Sequence, residues 1–209
     1  MKISEAGRKL LAELAGDFKP TGNLPKDIAR FFMAHDLAET AKHCIQVATA
    51  ANSLAIHFGT DHGAAKTAGL LHDISAVIPN AERITAAEQW SVPVLPEEAA
   101  FPMIIHQKLS VVIARELFGI EHEQTLSAIG CHTTLKADAS TLDKVLFIAD
   151  KLQWDQPGSP PYLAALEKAL SNSLDDGVFV YLDYLWQQRT TLRVVHPWLV
   201  AAYQTYTKG

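Results

Sequence analysis

Apolar residues recur at three- and four-residue spacing through almost the whole chain, and short runs of polar or helix-breaking residues interrupt them. Residues 3–15 read as a short amphipathic helix, followed by a breaker-rich run containing Gly16, Pro20, Gly22 and Pro25. Asp36 with Glu39 three positions on has capping-box spacing, and it is expected to open a long helix that runs to about Phe58 and stops at Gly59. Thr60 or Asp61 caps the next helix, whose apolar stretch Ala68-Gly69-Leu70-Leu71 ends on His72-Asp73. Residues 79–102 are polar and punctuated by proline, with one helix expected over 81–90. Leu109, Val112, Ile113 and Leu117 then mark a helix from His106 that stops at Gly119. Further helices are expected over 121–133, over 142–152 behind a Ser140 or Thr141 cap, over 162–171 and over 174–189. Residues 156–161 read as a stiff turn, and His196-Pro197 introduces a last helix. No alternating run is long enough for a strand. The pattern predicts one all-α domain of about eight to ten helices.

Composition narrows the class without naming a function. The 209 residues are 48% hydrophobic and 20% charged, enough to bury a real core. A net charge of −5 excludes the global basic field usual for a nucleic-acid binder. No stretch approaches a membrane span, and the N-terminus lacks an apolar signal core, so a cytoplasmic location is expected. Cys44 and Cys131 each adjoin a histidine, and both read as small buried residues rather than a disulfide.

The chemistry is concentrated in a series of histidines and acids. In chain order these are His43, His72-Asp73, His106, His132 and Asp150. A histidine beside a carboxylate at the end of an apolar run costs folding energy unless both share a partner. Neutral imidazole and carboxylate are standard ligands of first-row metals, so a divalent cation is that partner. Asp150, behind Phe147-Ile148-Ala149, is an acid on an apolar helix. Each ligand lies on a different predicted helix, so the helices must converge, as they do in carboxylate-histidine sites inside bundles. Two ions a few ångströms apart need a bridging carboxylate, for which Asp73 is the candidate. His43, His72 and Asp150 complete one ion, while His106 and His132 complete the other. Such a pair activates a water at neutral pH and clamps phosphoryl oxygens. Mixed nitrogen and oxygen donors without thiolate favour iron, manganese or zinc. Lys108, Lys136, Lys144 and Lys151, with Thr133 and Thr134 beside His132, are candidates to hold phosphate, and Asp143 is a candidate to orient groups around Asp150.

Several segments resemble the YqeK-type HD-domain family: residues 40–51 (TAKHCIQVATAA), 68–74 (AGLLHDI), 106–120, 128–134 (AIGCHTT), 140–151 and the closing Val195-His196-Pro197. The resemblance covers roughly residues 37–205, so residues 37–209 are expected to form the HD phosphohydrolase domain and residues 1–36 a helical extension. It implies an orthogonal helical bundle with a two-ion, usually iron-bearing site. His72 and Asp73 lie at its catalytic centre, and His43, His72, Asp73, His106, His132 and Asp150 are its ligands. The implied reaction is symmetrical hydrolysis of diadenosine tetraphosphate to two ADP. Another nucleotide or phosphoester as substrate, or a catalytically weak nucleotide-binding protein, are the alternatives. The expected partner is a nucleotide substrate, with neither nucleic acid nor membrane, and a homodimer is the assembly entertained. The chain departs from the family at three places. Ala76 replaces a lysine after His72-Asp73-Ile74-Ser75, Gln107 replaces a glycine after His106, and Trp154 to Gly158 replaces a Pro-x-Arg segment.

Overall fold

The computed structural model describes residues 3–154 and 158–207, and among them every regular element is helical. The α-helices are α1 (Glu5–Ala15), α2 (Leu24–Ala34), α3 (Ala38–His57), α4 (His62–Leu71), α5 (Arg83–Gln89) and α6 (Pro96–Ala100). They continue with α7 (His106–Glu116), α8 (Glu123–Cys131), α9 (Thr141–Leu152), α10 (Leu163–Leu170), α11 (Leu174–Gln187) and α12 (Pro197–Thr207). Local chemistry sets the starts. Asp61 accepts a hydrogen bond from Ala64 N at 2.9 Å to open α4, and Ser140 and Asp143 cap each other's backbone N–H at α9. The expected turn at 156–161 falls partly on residues 155–157, outside those described.

The core is built around α3, α4, α8 and α9, with α7 packed on α8. On α3 the buried residues Ala41, Cys44, Val47, Ala48, Ala51 and Ala55 recur every three or four positions, giving a smooth stripe of small side chains. Against it lies Gly69 of α4, where a Cβ would stand 2.5 Å from Ala48 Cα. Glycine there lets the backbones of α3 and α4 approach, which brings His43 and His72 within reach of each other. Helix α2 adds Ile28, Phe31 and Phe32, all fully buried, to the same core. Helix α1 is tied to the chain after α5 by a 3.0 Å hydrogen bond from the buried Trp90 indole to Gly7 O. Helices α10 to α12 close the side beyond α9.

Three sequence expectations are corrected. Asp36 does not cap α3, whose N-cap is Leu37, with no side-chain cap hydrogen bond. Asp36 has φ +59° and donates its N–H to Met33 O at 3.2 Å, so it finishes α2 in a left-handed turn that aspartate tolerates. Helices α2 and α6 had not been expected, although Asn23 caps α2 with Pro25 inside its first turn. The helix expected over 81–90 begins as a 3-10 turn at Asn80–Glu82 before α5.

Candidate metal centre

The six predicted ligands come from five helices or their ends and converge. His72 caps the C-terminus of α4 and Asp73 follows it, His132 caps α8, His106 opens α7, and Asp150 lies in the last turn of α9. His43 Nε2 is 3.2 Å from Asp150 Oδ1, and His72 Nε2 is 3.5 Å from the same oxygen. Asp73 divides its carboxylate: Oδ1 faces His106 at 3.1 Å and His132 at 3.4 Å, and Oδ2 faces His72 at 3.5 Å. Donor atoms of His43, His72 and Asp150, and of His72, Asp73 and His132, lie within 4.8 Å of one another, as ligands of a cation must.

The histidines are wired to present lone pairs. The Nδ1–H of His72 donates to Gly69 O at 2.8 Å, that of His106 to Met103 O at 2.6 Å, and that of His132 to Ile129 O at 2.8 Å. A carbonyl only accepts, so Nδ1 carries a proton and each ring turns its Nε2 inward. His106 Nε2 and His132 Nε2 then face each other at 2.9 Å. His72 Nε2 is buried with no hydrogen-bond partner among the described residues. A buried nitrogen without a partner and two ring nitrogens in close approach are both costly, and bound cations would relieve both. The donor set therefore fits a divalent metal.

Charge points the same way. Burial works to raise Asp73, yet His72, His106 and His132 together hold it well below the usual carboxylate range. Burial likewise opposes ionisation of Asp150, but Lys151, His43 and His72 outweigh it. Burial pushes His132 down to about 4, keeping it neutral. Burial works to lower His72, yet Asp73 raises it well above the usual imidazole range, so the two acids draw positive charge to the cluster. Both cysteines are buried, and burial raises the Cys44 thiol beside His72, so no thiolate joins the donors.

Supporting contacts tie the ligand-bearing segments together. Ser75, two residues after Asp73, donates from Oγ to His106 O at 2.8 Å, and its N–H reaches Ser110 Oγ at 3.2 Å. Arg83 donates to Met103 O at 3.1 Å, the carbonyl that also holds His106. Gln107 is fully buried, and its Oε1 accepts from Thr133 N at 3.1 Å and Thr134 N at 3.4 Å, pinning the turn after His132. Sequence reading singled out neither Ser110 nor Arg83, and it treated Gln107 only as a missing glycine.

The predicted substrate contacts separate into two groups. Thr133, Thr134 and Lys151 line a cavity with the ligands, and the Thr133 hydroxyl donates to His106 Nε2 at 3.2 Å. Lys151 binds the outer oxygen of Asp150 and stays charged, since Asp150 overcomes the effect of burial and raises its pKa. Lys108 and Lys144 are committed elsewhere: Lys108 to Glu98 at 2.8 Å and Lys144 to Asp175 at 2.6 Å. Lys136 pairs with Asp143 at 3.2 Å. Asp143 does not orient Asp150; it caps α9 and accepts from Ser127 of α8 at 2.7 Å. His196 serves its helix start, its Nδ1 accepting from Trp198 N at 3.1 Å, while Nε2 donates to the buried Glu98 at 3.3 Å.

The centre opens on two sides. A cavity of ≈ 380 Å³ runs from the ligands to an aromatic and C-terminal wall that includes Phe101, Trp154, Tyr181 and Arg193. A second, of ≈ 470 Å³, is lined by Glu39, Thr40, Lys42, Gln46 and Ala76. Both cavities reach His43, Asp73 and Trp154.

Residues 40–155 match the HD domain family model. The chain is 47% identical over 135 residues to "Uncharacterized protein in pepC 5'region" of Lactococcus lactis subsp. cremoris, spanning 65% of this chain and 68% of that one. It is 25% identical over 167 residues to the symmetrical bis(5'-nucleosyl)-tetraphosphatase of Bacillus subtilis (strain 168), spanning 76% of this chain and 88% of the relative. The fold matches the crystal structure of a predicted HD superfamily hydrolase involved in NAD metabolism from Clostridium acetobutylicum. That match has a TM-score of 0.80 at 23% identity and covers 88% of this chain and 96% of that one. Matched residues, fold and relatives agree that the chain belongs to the HD-domain family, as a divergent member with YqeK-type relatives.

Proposed function

We propose that the protein is a two-metal phosphohydrolase that cleaves diadenosine tetraphosphate symmetrically to two ADP. One observation carries this reading: the six-ligand centre lies where two cavities meet, both bordered by His43 and Asp73. A substrate with a nucleoside at each end and a phosphate chain between them suits such a passage, with its middle phosphates at the ligands. A mononucleotide needs only one of the two sides.

His43, His72 and Asp150 would hold one ion, His106 and His132 the other, and Asp73 would offer an oxygen to each. Bound divalent ions supply an activated water and neutralise the phosphoryl oxygens. The protein contributes the frame. The carbonyls of Gly69, Met103 and Ile129 fix the ring orientations, each Nδ1–H donated outward and each Nε2 turned to the centre. Lys151 holds Asp150 ionised and adds a fixed positive charge at the cavity wall. The Thr133 hydroxyl, now beside His106 Nε2 in the same cavity, would turn to donate to a phosphate oxygen once that nitrogen ligates an ion.

Product analysis with metal-loaded protein tests the reaction. Diadenosine tetraphosphate should yield ADP alone. AMP with ATP would refute symmetrical cleavage. Hydrolysis of a nucleoside monophosphate without tetraphosphate turnover would move the substrate to another phosphoester. Protein purified anaerobically should carry two ions per chain, and Asp73→Ala should lose both.

A further inference from the structure

The cationic side chains near the centre are nearly all neutralised by the protein itself. Lys108 is held by Glu98, Lys136 by Asp143, Lys144 by Asp175 and Lys151 by Asp150. Arg83 spends its guanidinium on the carbonyls of Ile78 and Met103. Arg193 is different. It lines the ≈ 380 Å³ cavity, is exposed, and makes no hydrogen bond or ion pair among the described residues. Its guanidinium stacks on Phe101, whose ring centroid lies 5.1 Å from Cζ. That stacking restrains the guanidinium while leaving its N–H donors open.

The surroundings of Arg193 are anchored. Residues 192–194 and His196 form one wall of the cavity, and His196 ties that wall to the fully buried Glu98, which Lys108 also binds. Across the cavity stand aromatic rings: Trp154 against Tyr162 at 6.3 Å, and Tyr162 against Tyr181 at 4.8 Å. The Tyr181 hydroxyl has no hydrogen-bond partner among the described residues. An uncommitted guanidinium, an aromatic face and a spare hydroxyl, in a cavity that ends at metal-ligand histidines, are the complement of a nucleoside diphosphate. Aromatic rings stack a base without needing its identity, and a guanidinium grips phosphate oxygens in pairs.

Resting on the nucleotide reading above, we infer that this aromatic cavity is a nucleoside diphosphate subsite and that Arg193 is its phosphate-gripping residue. A guanidinium on the C-terminal segment thereby supplies the phosphate contact for which lysines on α7 and α9 had been the sequence candidates. The subsite sets preference for a substrate arm carrying a second phosphate over a bare nucleoside.

Calorimetric titration of the metal-loaded protein with ADP and with adenosine tests it. Arg193→Ala should weaken ADP about 10- to 100-fold, the worth of a charge-assisted hydrogen bond, and leave adenosine within about twofold. Arg193→Lys should recover part of the loss, since lysine keeps the charge but not the fork. Unchanged ADP affinity in Arg193→Ala would overturn the inference, as would equal weakening of ADP and adenosine, which would mark a structural role. Wild-type turnover of diadenosine tetraphosphate is scored separately. Its absence counts against the proposed reaction, whereas the ADP-to-adenosine contrast reports on the subsite.

Discussion

Gln107 offers the sharpest test of how the ligand cluster is held. Its side chain is fully buried on α7, and its amide closes a three-way link to the segment after His132. Oε1 accepts from the backbone N–H of Thr133 at 3.1 Å and of Thr134 at 3.4 Å, and Nε2 donates to Thr134 Oγ1 at 3.1 Å. Gln107→Ala leaves those backbone donors without their protein acceptor, Thr134 N in a buried residue and Thr133 N at the cavity wall. A buried donor left unsatisfied costs about 1–3 kcal/mol, and the Thr134 N contact is long. The summed loss should be roughly 2–4 kcal/mol, which in a chain of this size lowers Tm by roughly 5–15 °C. The ligands should feel it too, because Thr133 touches His106 and follows His132 directly. Metal affinity should fall by roughly 10- to 100-fold, as for other groups that orient ligands. Equilibrium urea unfolding gives the first quantity and a competition titration with a chelating dye the second. Gln107→Glu separates the terms, since it keeps the acceptor, loses the donor to Thr134 and adds a charge near Asp73. If Gln107→Ala stays within about 0.5 kcal/mol of wild type and binds metal normally, the bracket is ornamental and the reasoning fails.

Two further outcomes follow from packing and from charge. Gly69→Ala would press a methyl group against the Ala48 backbone, 2.5 Å from Cα and 2.7 Å from N, and neither is a flexible tip. It should cost about 1–3 kcal/mol by overpacking and also weaken metal binding, because α3 and α4 carry His43 and His72; an ordinary melting curve with full metal content would contradict this. Burial works to raise Glu98, but the facing His196, Lys108 and the Leu95 N–H outweigh it and hold its pKa below the usual value. With a depressed folded pKa, its contribution is present above the unfolded pKa of about 4.3 and lost as pH falls through the lower folded value. Melting temperature should therefore fall more steeply below about pH 4.5 in wild type than in Glu98→Gln, and parallel acid limbs would be the refuting result.

The fold class and the clustering of the six candidate ligands were legible because each signal is local. Capping residues, glycine stops and three-to-four spacing mark α3, α4, α7 and α9, and each ligand sits at or near a helix end. The convergence of those ends was an inference from chemistry: a buried His72 and an acid on the apolar helix α9 required a common partner. What escaped notice depended on tertiary contacts. Asp36 has capping-box spacing, but the short link from α2 forces it into a left-handed turn, and no local pattern reports that constraint. Helix α2 was hidden by the breakers before it, although Asn23 and Pro25 are its start signals. Lysines are the sequence candidates for phosphate contact because the chain lacks basic residues at the family's positions, yet the sequence does not report which acids they face. Lys108 and Lys144 accordingly meet acids from α6 and α11. Arg193 lies in an irregular segment far from any ligand in sequence, and only closure of the C-terminal helices brings it to the cavity.

The charges at the centre bear on how many ions the proposed reaction needs. The chain carries a net −5, and the substrate proposed for it is a polyanion. Lys151, the cation nearest the ligands, already binds Asp150. Its charge holds that acid ionised rather than reaching out to phosphate. The four ligand histidines contribute lone pairs rather than charge when they ligate. With Lys151 already offsetting Asp150, a single divalent ion would leave the two carboxylates and the lysine with one net positive charge, a weak attraction for a tetraphosphate. A second ion would raise that charge at the junction of the two cavities, where the inner phosphates of the proposed substrate would lie. Asp73 turns one oxygen toward His72 and the other toward His106 and His132, so it would offer a donor to each of two ions. On this account the second ion is required for substrate affinity as well as for chemistry. His106→Ala, which removes one of its ligands, should raise KM for the tetraphosphate together with lowering kcat. A fall in kcat at unchanged KM would assign affinity to Arg193 and the aromatic wall alone.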